Sequence, residues 1–148
     1  MITQSINRLQ YLCEIIPSLL NKIQEEDFSR KLHPGKWCKK EILGHLIDSA
    51  TNNHQRFIRI QYEDVPTIIY HTDNWVRLTD YKNIETEHLI NLWEGYNRHL
   101  IFIIKFLSEE NLRRKCKTNE PEPVSLQWLI DDYVKHLEHH LKQLVEYK

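Results

Sequence analysis

The sequence predicts an all-α protein: a four-helix bundle with a long crossover connection, in a single domain over residues 1–148. Three observations carry this. Four stretches of about 20 residues place apolar side chains at steps of three and four, the period of one helix face. Glycine occurs only three times, too few for a turn-rich β-protein or a phosphate-cradling loop. The connection over residues 68–85 is long, as connections are when they carry function or cross between helices that are not simple hairpin neighbours.

The first helix is predicted over residues 5–24, with Ile6, Leu9, Leu12, Ile16, Leu19, Leu20 and Ile23 on one face. Pro17 lies inside it, which predicts a kink or a split. His33, Pro34 and Gly35 then break the chain. The second helix is predicted over residues 39–62, with Ile42, Leu43, Leu46, Ala50, Phe57 and Ile60. Pro66 is expected to end it, because the residue before a proline is pushed out of the helical region. In the connection that follows, Trp75 to Leu78 read as a turn or a short strand. The third helix is predicted over residues 86–107, with Leu89, Leu92, Trp93, Tyr96, Leu100, Ile103 and Phe106. Trp93 and Tyr96 read as core aromatics. Pro121 and Pro123 precede the fourth helix, and Ser125 is a good N-cap. That helix is predicted over residues 126–146, with a seam of Leu126, Ile130, Tyr133, Leu137, Leu141 and Leu144.

Composition narrows the function. A chain of 148 residues suits one domain, since two would leave each half short of core. The formal net charge is -1, which gives no basic surface for nucleic acid. No apolar run approaches the roughly 18 residues a membrane span needs; the run from Leu100 to Ile104 stops at Lys105. The first residues lack the charged and apolar regions of a signal peptide, so a cytoplasmic protein is expected. Cys13, Cys38 and Cys116 are widely spaced. They form neither a disulfide framework nor a cysteine zinc motif.

Histidine is in excess, with nine residues. His136 and His140 stand four apart on the fourth helix, where side chains share a face. Two imidazoles so placed can converge on one ion; the spacing alone equally describes a solvated polar face. On the helical wheel both flank the apolar seam, as do Asp132 and Gln143, while His139 points further away. His45 lies between Leu43 and Leu46, in a polar row of Glu41, Asp48, Asn52 and Arg56. Polar groups beside an apolar seam need partners. The row is either a hydrogen-bonded face or a ligand with polar support behind it, since ligating histidines usually donate their other N–H to a carboxylate or carbonyl. Asp48, Asn52 and Gln143 are the candidates for that support. His33, His71 and His88 read as surface residues, and Trp37 and Trp128 as packing at the bundle's ends.

The run from Trp37 to Ser49, with Glu41-Ile42-Leu43-Gly44-His45-Leu46-Ile47-Asp48 at its centre, resembles the second-helix signature of the DinB-like superfamily. That superfamily includes the YfiT-like metal-dependent hydrolases. The run from Trp128 to Leu144, with His136, His139, His140 and Gln143, is similar to its last helix. Asp73-Asn74-Trp75-Val76 and Trp93-Glu94-Gly95-Tyr96-Asn97 also look like family features, so the resemblance covers about residues 5–146. It implies a four-helix bundle with a crossover, a divalent metal held by His45, His136 and His140, and a homodimer. Members with known activity include thiol-dependent transferases and isomerases that use bacillithiol, mycothiol or glutathione. One departure is visible: Cys38 stands where the family usually has Ser or Thr. Cys is a poor cap, and it is read as a structural substitution, although a thiol at a helix N-terminus can have a lowered pKa.

Three nitrogen ligands leave at least one coordination position open, as catalytic sites do. Two chemistries share such a site: activation of a water for hydrolysis, or of a thiol for transfer. The resemblance alone favours a thiol S-transferase type, with a small-molecule substrate and a low-molecular-weight thiol. Hydrolysis and a non-catalytic, stress-associated metal-binding bundle are the alternatives. A structural site would show a fourth protein ligand, from His139, His54 or His99. The donor set suits zinc or nickel first, with iron or manganese also expected. Glu138 is expected on the solvated face. Tyr70, Trp75 and Tyr81 are expected either to border a substrate pocket or to anchor the long connection.

Overall fold

The computed structural model describes residues 2–148. Helix α1 spans Ile2–Leu20, α2 Glu25–Ser29, α3 Lys39–Arg59, α4 Thr72–Thr79, α5 Thr86–Lys105, α6 Glu109–Arg113 and α7 Leu126–Leu141. A 3-10 turn covers Tyr81–Asn83, and two short antiparallel strands, β1 (Lys115–Cys116) and β2 (Val124–Ser125), precede α7. Among the described residues, no helix is long and apolar enough to cross a membrane.

The long helices α1, α3, α5 and α7 form the bundle. Helix α3 packs on α5 and α7, and α1 packs on the same two, so α1 and α3 are diagonal. Their directions follow from the contacts along them. Ser5 bonds Asp131 and Arg8 bonds Glu138, so α1 and α7 run in parallel. Lys39 reaches the Leu144 carbonyl while Phe57 lies against Tyr133, so α3 and α7 are antiparallel. Lys40 meets Lys82 just before α5, His54 meets Tyr96, and Gln61 meets Asn111 just beyond α5. Helices α3 and α5 are therefore parallel neighbours, and residues 60–85 must run back along the bundle to join them. This is the predicted crossover.

Most of the predicted seam residues face the centre, but Leu92 and Phe106, expected on the third helix's apolar face, are exposed, Phe106 lying just past the end of α5. Leu9, Leu12, Ile16, Leu43, Leu46, Phe57, Leu89, Trp93, Leu100, Ile130, Leu137 and Leu141 are all buried in one core. Each buried side chain of this size contributes about 1.5–3 kcal/mol. Tyr96, expected in the core, is half-buried and packs at its edge. A polar pair lies inside: the Tyr133 hydroxyl donates to Asn97 Oδ1 at 2.7 Å. The pairing meets the requirement that buried polar groups be satisfied.

Several boundaries differ from the sequence reading. Pro17 neither splits α1 nor ends it; the helix continues to Leu20. Proline lacks the N–H that would bond the carbonyl four residues back. That carbonyl, of Cys13, accepts instead from Arg98 Nη2 at 3.3 Å. Helix α3 ends at Arg59, well before Pro66, and Arg114 caps its end by donating to the carbonyls of Ile60 and Glu63 at 2.6 and 2.8 Å. Trp75 to Leu78 are helical, within α4, and are neither a turn nor a strand. Helix α7 stops at Leu141, and Leu144 stays buried in the turns that follow. Glu138 is not on a solvated face: it takes the Arg8 guanidinium at 2.6 Å and ties α7 to α1.

Candidate metal centre

His45 projects from the second turn of α3, and His136 and His140 from the last turns of the antiparallel α7. The antiparallel pairing brings them level. One ring nitrogen from each of the three lies within 4.8 Å of the other two. The Nε2 atoms of His45 and His136 are 3.2 Å apart. Two ligands of one tetrahedral ion at 2.0–2.1 Å would stand about 3.3 Å apart, so this pair already has the spacing a single ion needs. Among the described residues no other group of three or more such side chains converges. His54, His99 and His139 are outside it. His54 instead bonds Tyr96 and faces His99, and His139 is exposed.

The site's electrostatics keep the rings neutral. Burial, together with the neighbouring His136 and His140, pushes the His45 pKa down to about 3. Burial, then His140 and His139, pushes His136 down to about 4. His140 is also lowered, mainly by burial. Neutral imidazole is the ligand form. His45 Nδ1 is buried without a hydrogen-bond partner, and the Trp37 ring packs over the imidazole with centroids 4.9 Å apart. Trp37 thus sits on the candidate ligand and not merely at the bundle's end. Trp128, by contrast, is exposed, at 41%.

The polar residues expected behind the ligands take different places. Gln143 Oε1 lies 3.0 Å from His140 Nδ1, which orients that ring with Nε2 free. Among the described residues, Asp48 makes no hydrogen bond to a histidine. Its Oδ1 accepts from the Tyr81 hydroxyl, and its Oδ2 is buried without a partner. Asn52 folds back on its own helix and donates to the Asp48 carbonyl at 2.9 Å. The residues that do adjoin the histidines along α3 are Ser49 and Asn53, which line a cavity of about 180 Å³ together with Arg56, Tyr70, Asp132 and His136. The sequence reading missed Ser49 and Asn53. They stand four and eight residues after His45, a signal present in the spacing but passed over for the charged row beside it. Cys38 is buried and begins α3, and Glu41 accepts from its backbone N–H at 3.1 Å as in a capping box. Burial raises its thiol pKa, which disfavours a reactive thiolate there. Tyr81 anchors the long connection, and Tyr70 borders the cavity.

The buried histidines make the metal-free protein acid-sensitive. His45 and His136 have folded pKa values of about 3 and 4, below the ordinary value near 6.5. Between about pH 6.5 and 4 the unfolded chain binds more protons, so stability is present above that window and lost as pH falls through it. Asp48, raised by burial to about 6 despite the Tyr81 hydrogen bond, works in the opposite direction. Three lowered histidines, His45, His136 and His140, against two raised carboxyls, Asp48 and Asp132, leave a net loss. Urea unfolding of the metal-free protein should therefore show a falling midpoint from pH 7 to 4.5, with a shallower fall in His136→Phe. A flat profile in the wild type would show that the rings are not held neutral.

The family model of the DinB superfamily matches residues 9–144. A "Putative metal-dependent hydrolase" of Oceanobacillus iheyensis is 26% identical over 144 residues, which are 97% of this chain and 83% of that protein. The YfiT protein of Bacillus subtilis, which carries the same name, is 25% identical over 114 residues, 76% of this chain and 64% of its own. The solved YfiT structure, described as an unusual four-helix bundle topology, superposes with a TM-score of 0.87 at 20% identity, covering 97% of this chain and 83% of that one. A mycothiol-dependent maleylpyruvate isomerase superposes with a TM-score of 0.79 at 13% identity, over 97% of this chain and 60% of that one. At these identities the two structures share the fold.

Proposed function

The chain belongs to the DinB superfamily, and on that footing we propose that it is a metal-dependent enzyme acting on a small molecule, with one divalent ion held by His45, His136 and His140. The convergence of three imidazole nitrogens from two helices within 4.8 Å carries this reading. Bound there with a coordination position to spare, such an ion supplies Lewis acidity that lowers the pKa of a water or thiol beside it.

The chain's own residues do the rest. Gln143 fixes the His140 tautomer through Nδ1. The apolar packing of Leu43, Leu46, Leu137 and Leu141 on the core side holds the helices that carry the ligands. Trp37 shields the His45 face from water. The cavity beside His136 offers the substrate a polar wall. The activated group is a low-molecular-weight thiol: its sulfur bonds to an electrophilic carbon of the substrate, the group on that carbon leaves with the bonding pair, and the thiol proton passes to solvent. Hydrolysis is the second reading, favoured by the names of the Oceanobacillus and Bacillus relatives. Self-association belongs to the same proposal; Phe102 and Phe106, exposed one turn apart near the end of α5, give it an apolar surface. Light scattering decides that part.

The assay loads the protein with zinc, nickel, iron or manganese in turn. It then offers a panel of thiols with a chlorinated dinitrobenzene, and separately a panel of activated esters. Metal-dependent conjugation with at least one thiol, and none after chelation, is the expected result. Ester turnover without thiol conjugation would move the assignment to hydrolysis. Absence of both, with metal bound, would leave a non-catalytic metal-binding bundle.

A further inference from the structure

Arg56 is a buried guanidinium, only 9% exposed, and among the described residues no carboxylate lies within ion-pair distance of it. Its Nε and Nη2 both donate to the Ile68 carbonyl, at 3.2 and 2.9 Å, and Nη1 reaches Asn53 Oδ1 at 3.5 Å, the limit of a hydrogen bond. Nε and Nη2 sharing one acceptor use the side edge of the fork. A guanidinium has five N–H donors, so one on each terminal nitrogen is left over. The Tyr70 ring lies 5.8 Å from the guanidinium carbon. A buried charge with no counter-charge is costly unless something pairs it. Arg56 lines the cavity it shares with Ser49, Asn53, Tyr70 and His136, and His136 is also one of the three converging histidines.

We propose that the substrate carries a carboxylate, and that Arg56 binds it end-on in the cavity beside His136. The proposal rests on the reading of the three histidines as the reactive centre only for the word substrate; the binding itself needs no metal. The chemistry fits. A planar guanidinium matches a carboxylate with two parallel hydrogen bonds, and the Asn53 and Ser49 side chains offer further polar atoms on the same wall. The other side of the cavity carries Asp132 from α7 and Glu120 from the loop between β1 and β2. The site is thus polarised, positive at α3 and negative at α7. A small molecule with a carboxylate and an amine, as in an amino acid, meets both ends.

The test uses acetate, glycine and methylamine as probes, at constant ionic strength, with the full chain both metal-free and zinc-loaded. Binding is read by saturation-transfer NMR. Acetate and glycine should bind and compete with each other, and Arg56→Gln should weaken both by about tenfold or more. Methylamine should show no dependence on Arg56, which a general folding defect would not reproduce. If Arg56→Gln does not fold, Arg56→Lys keeps the charge but loses the fork, and it should also weaken both carboxylates. Carboxylate binding unchanged in the folded variant, or none to the wild type at about 50 mM, in the range of the weakest specific affinities, overturns the proposal. Zinc uptake measured in the same samples separates the two readings. Zinc bound without carboxylate binding sinks only the Arg56 site, and carboxylate binding without zinc sinks only the metal centre.

Discussion

His45→Ala should weaken zinc binding by at least about a hundredfold and abolish metal-dependent turnover, with the fold retained. A supporting residue behind a metal ligand already costs about ten- to a hundredfold when removed; a ligand itself costs more, because only two donors remain. His136→Ala should behave alike, and the double variant should hold no metal at wild-type stoichiometry. Gln143→Ala should lose only about tenfold, since it removes the hydrogen bond at His140 Nδ1 and leaves the ligand in place. His54→Ala and His99→Ala should change nothing, because that pair sits with Tyr96, away from the three converging rings. Competition against a chromophoric chelator measures each affinity. Circular dichroism melting of the metal-free variants separates lost binding from lost folding. His45 Nδ1 is buried without a partner, so the alanine variant also removes an unsatisfied group, which limits the stability cost. Metal retained at full stoichiometry in the double variant would show that the ion, if any, binds elsewhere.

The long helices were legible because each buries a wide apolar stripe, and a repeated period survives any local detail. The short elements were not, and the reason is physical. Helix α4 buries a single side chain, Val76, and one buried residue has no period. The strands β1 and β2 have two residues each, below the length at which alternation can be read. Boundaries shifted where a distant residue supplied a hydrogen bond, as Arg98 does for the Cys13 carbonyl and Arg114 for the end of α3. Glu138 moved from surface to clasp for the same reason: its partner Arg8 is 130 residues away in the chain. At the site, the three histidines could be nominated from spacing and from the resemblance together. Their neighbours could not be sorted that way. His45, Asp48 and Asn52 share a broad face on the wheel, but a turn of rotation decides which reaches the ligands. Asp48 is drawn to Tyr81, and the adjoining Ser49 and Asn53 line the cavity instead.

Gly44→Ala should destabilise the protein by about 3 kcal/mol, against the usual preference of a helix for alanine. Gly44 lies one residue before His45 in the buried part of α3, and the Tyr81 ring packs directly on its Cα. A methyl built there overlaps the ring carbons of Tyr81. Tyr81 has little room to retreat, being only 4% exposed with its hydroxyl bonded to Asp48 Oδ1. Replacing glycine by alanine in mid-helix gains up to about 1 kcal/mol by propensity. Overpacking a filled site costs about 1–3 kcal/mol. Displacing Tyr81 would also leave the second oxygen of a buried carboxyl without a partner, at about 1–3 kcal/mol more. The steric and hydrogen-bond costs outweigh the propensity gain. A double-mutant cycle gives the decisive sign. In a Tyr81→Ala background the ring that the methyl overlaps is gone, so Gly44→Ala should become neutral or stabilising. If it costs the same in both backgrounds, the ring is not what demands glycine here. Because Tyr81 anchors the crossover whose Tyr70 borders the cavity, the single variant should also loosen that wall. The acetate affinity read at Arg56 should then fall along with stability.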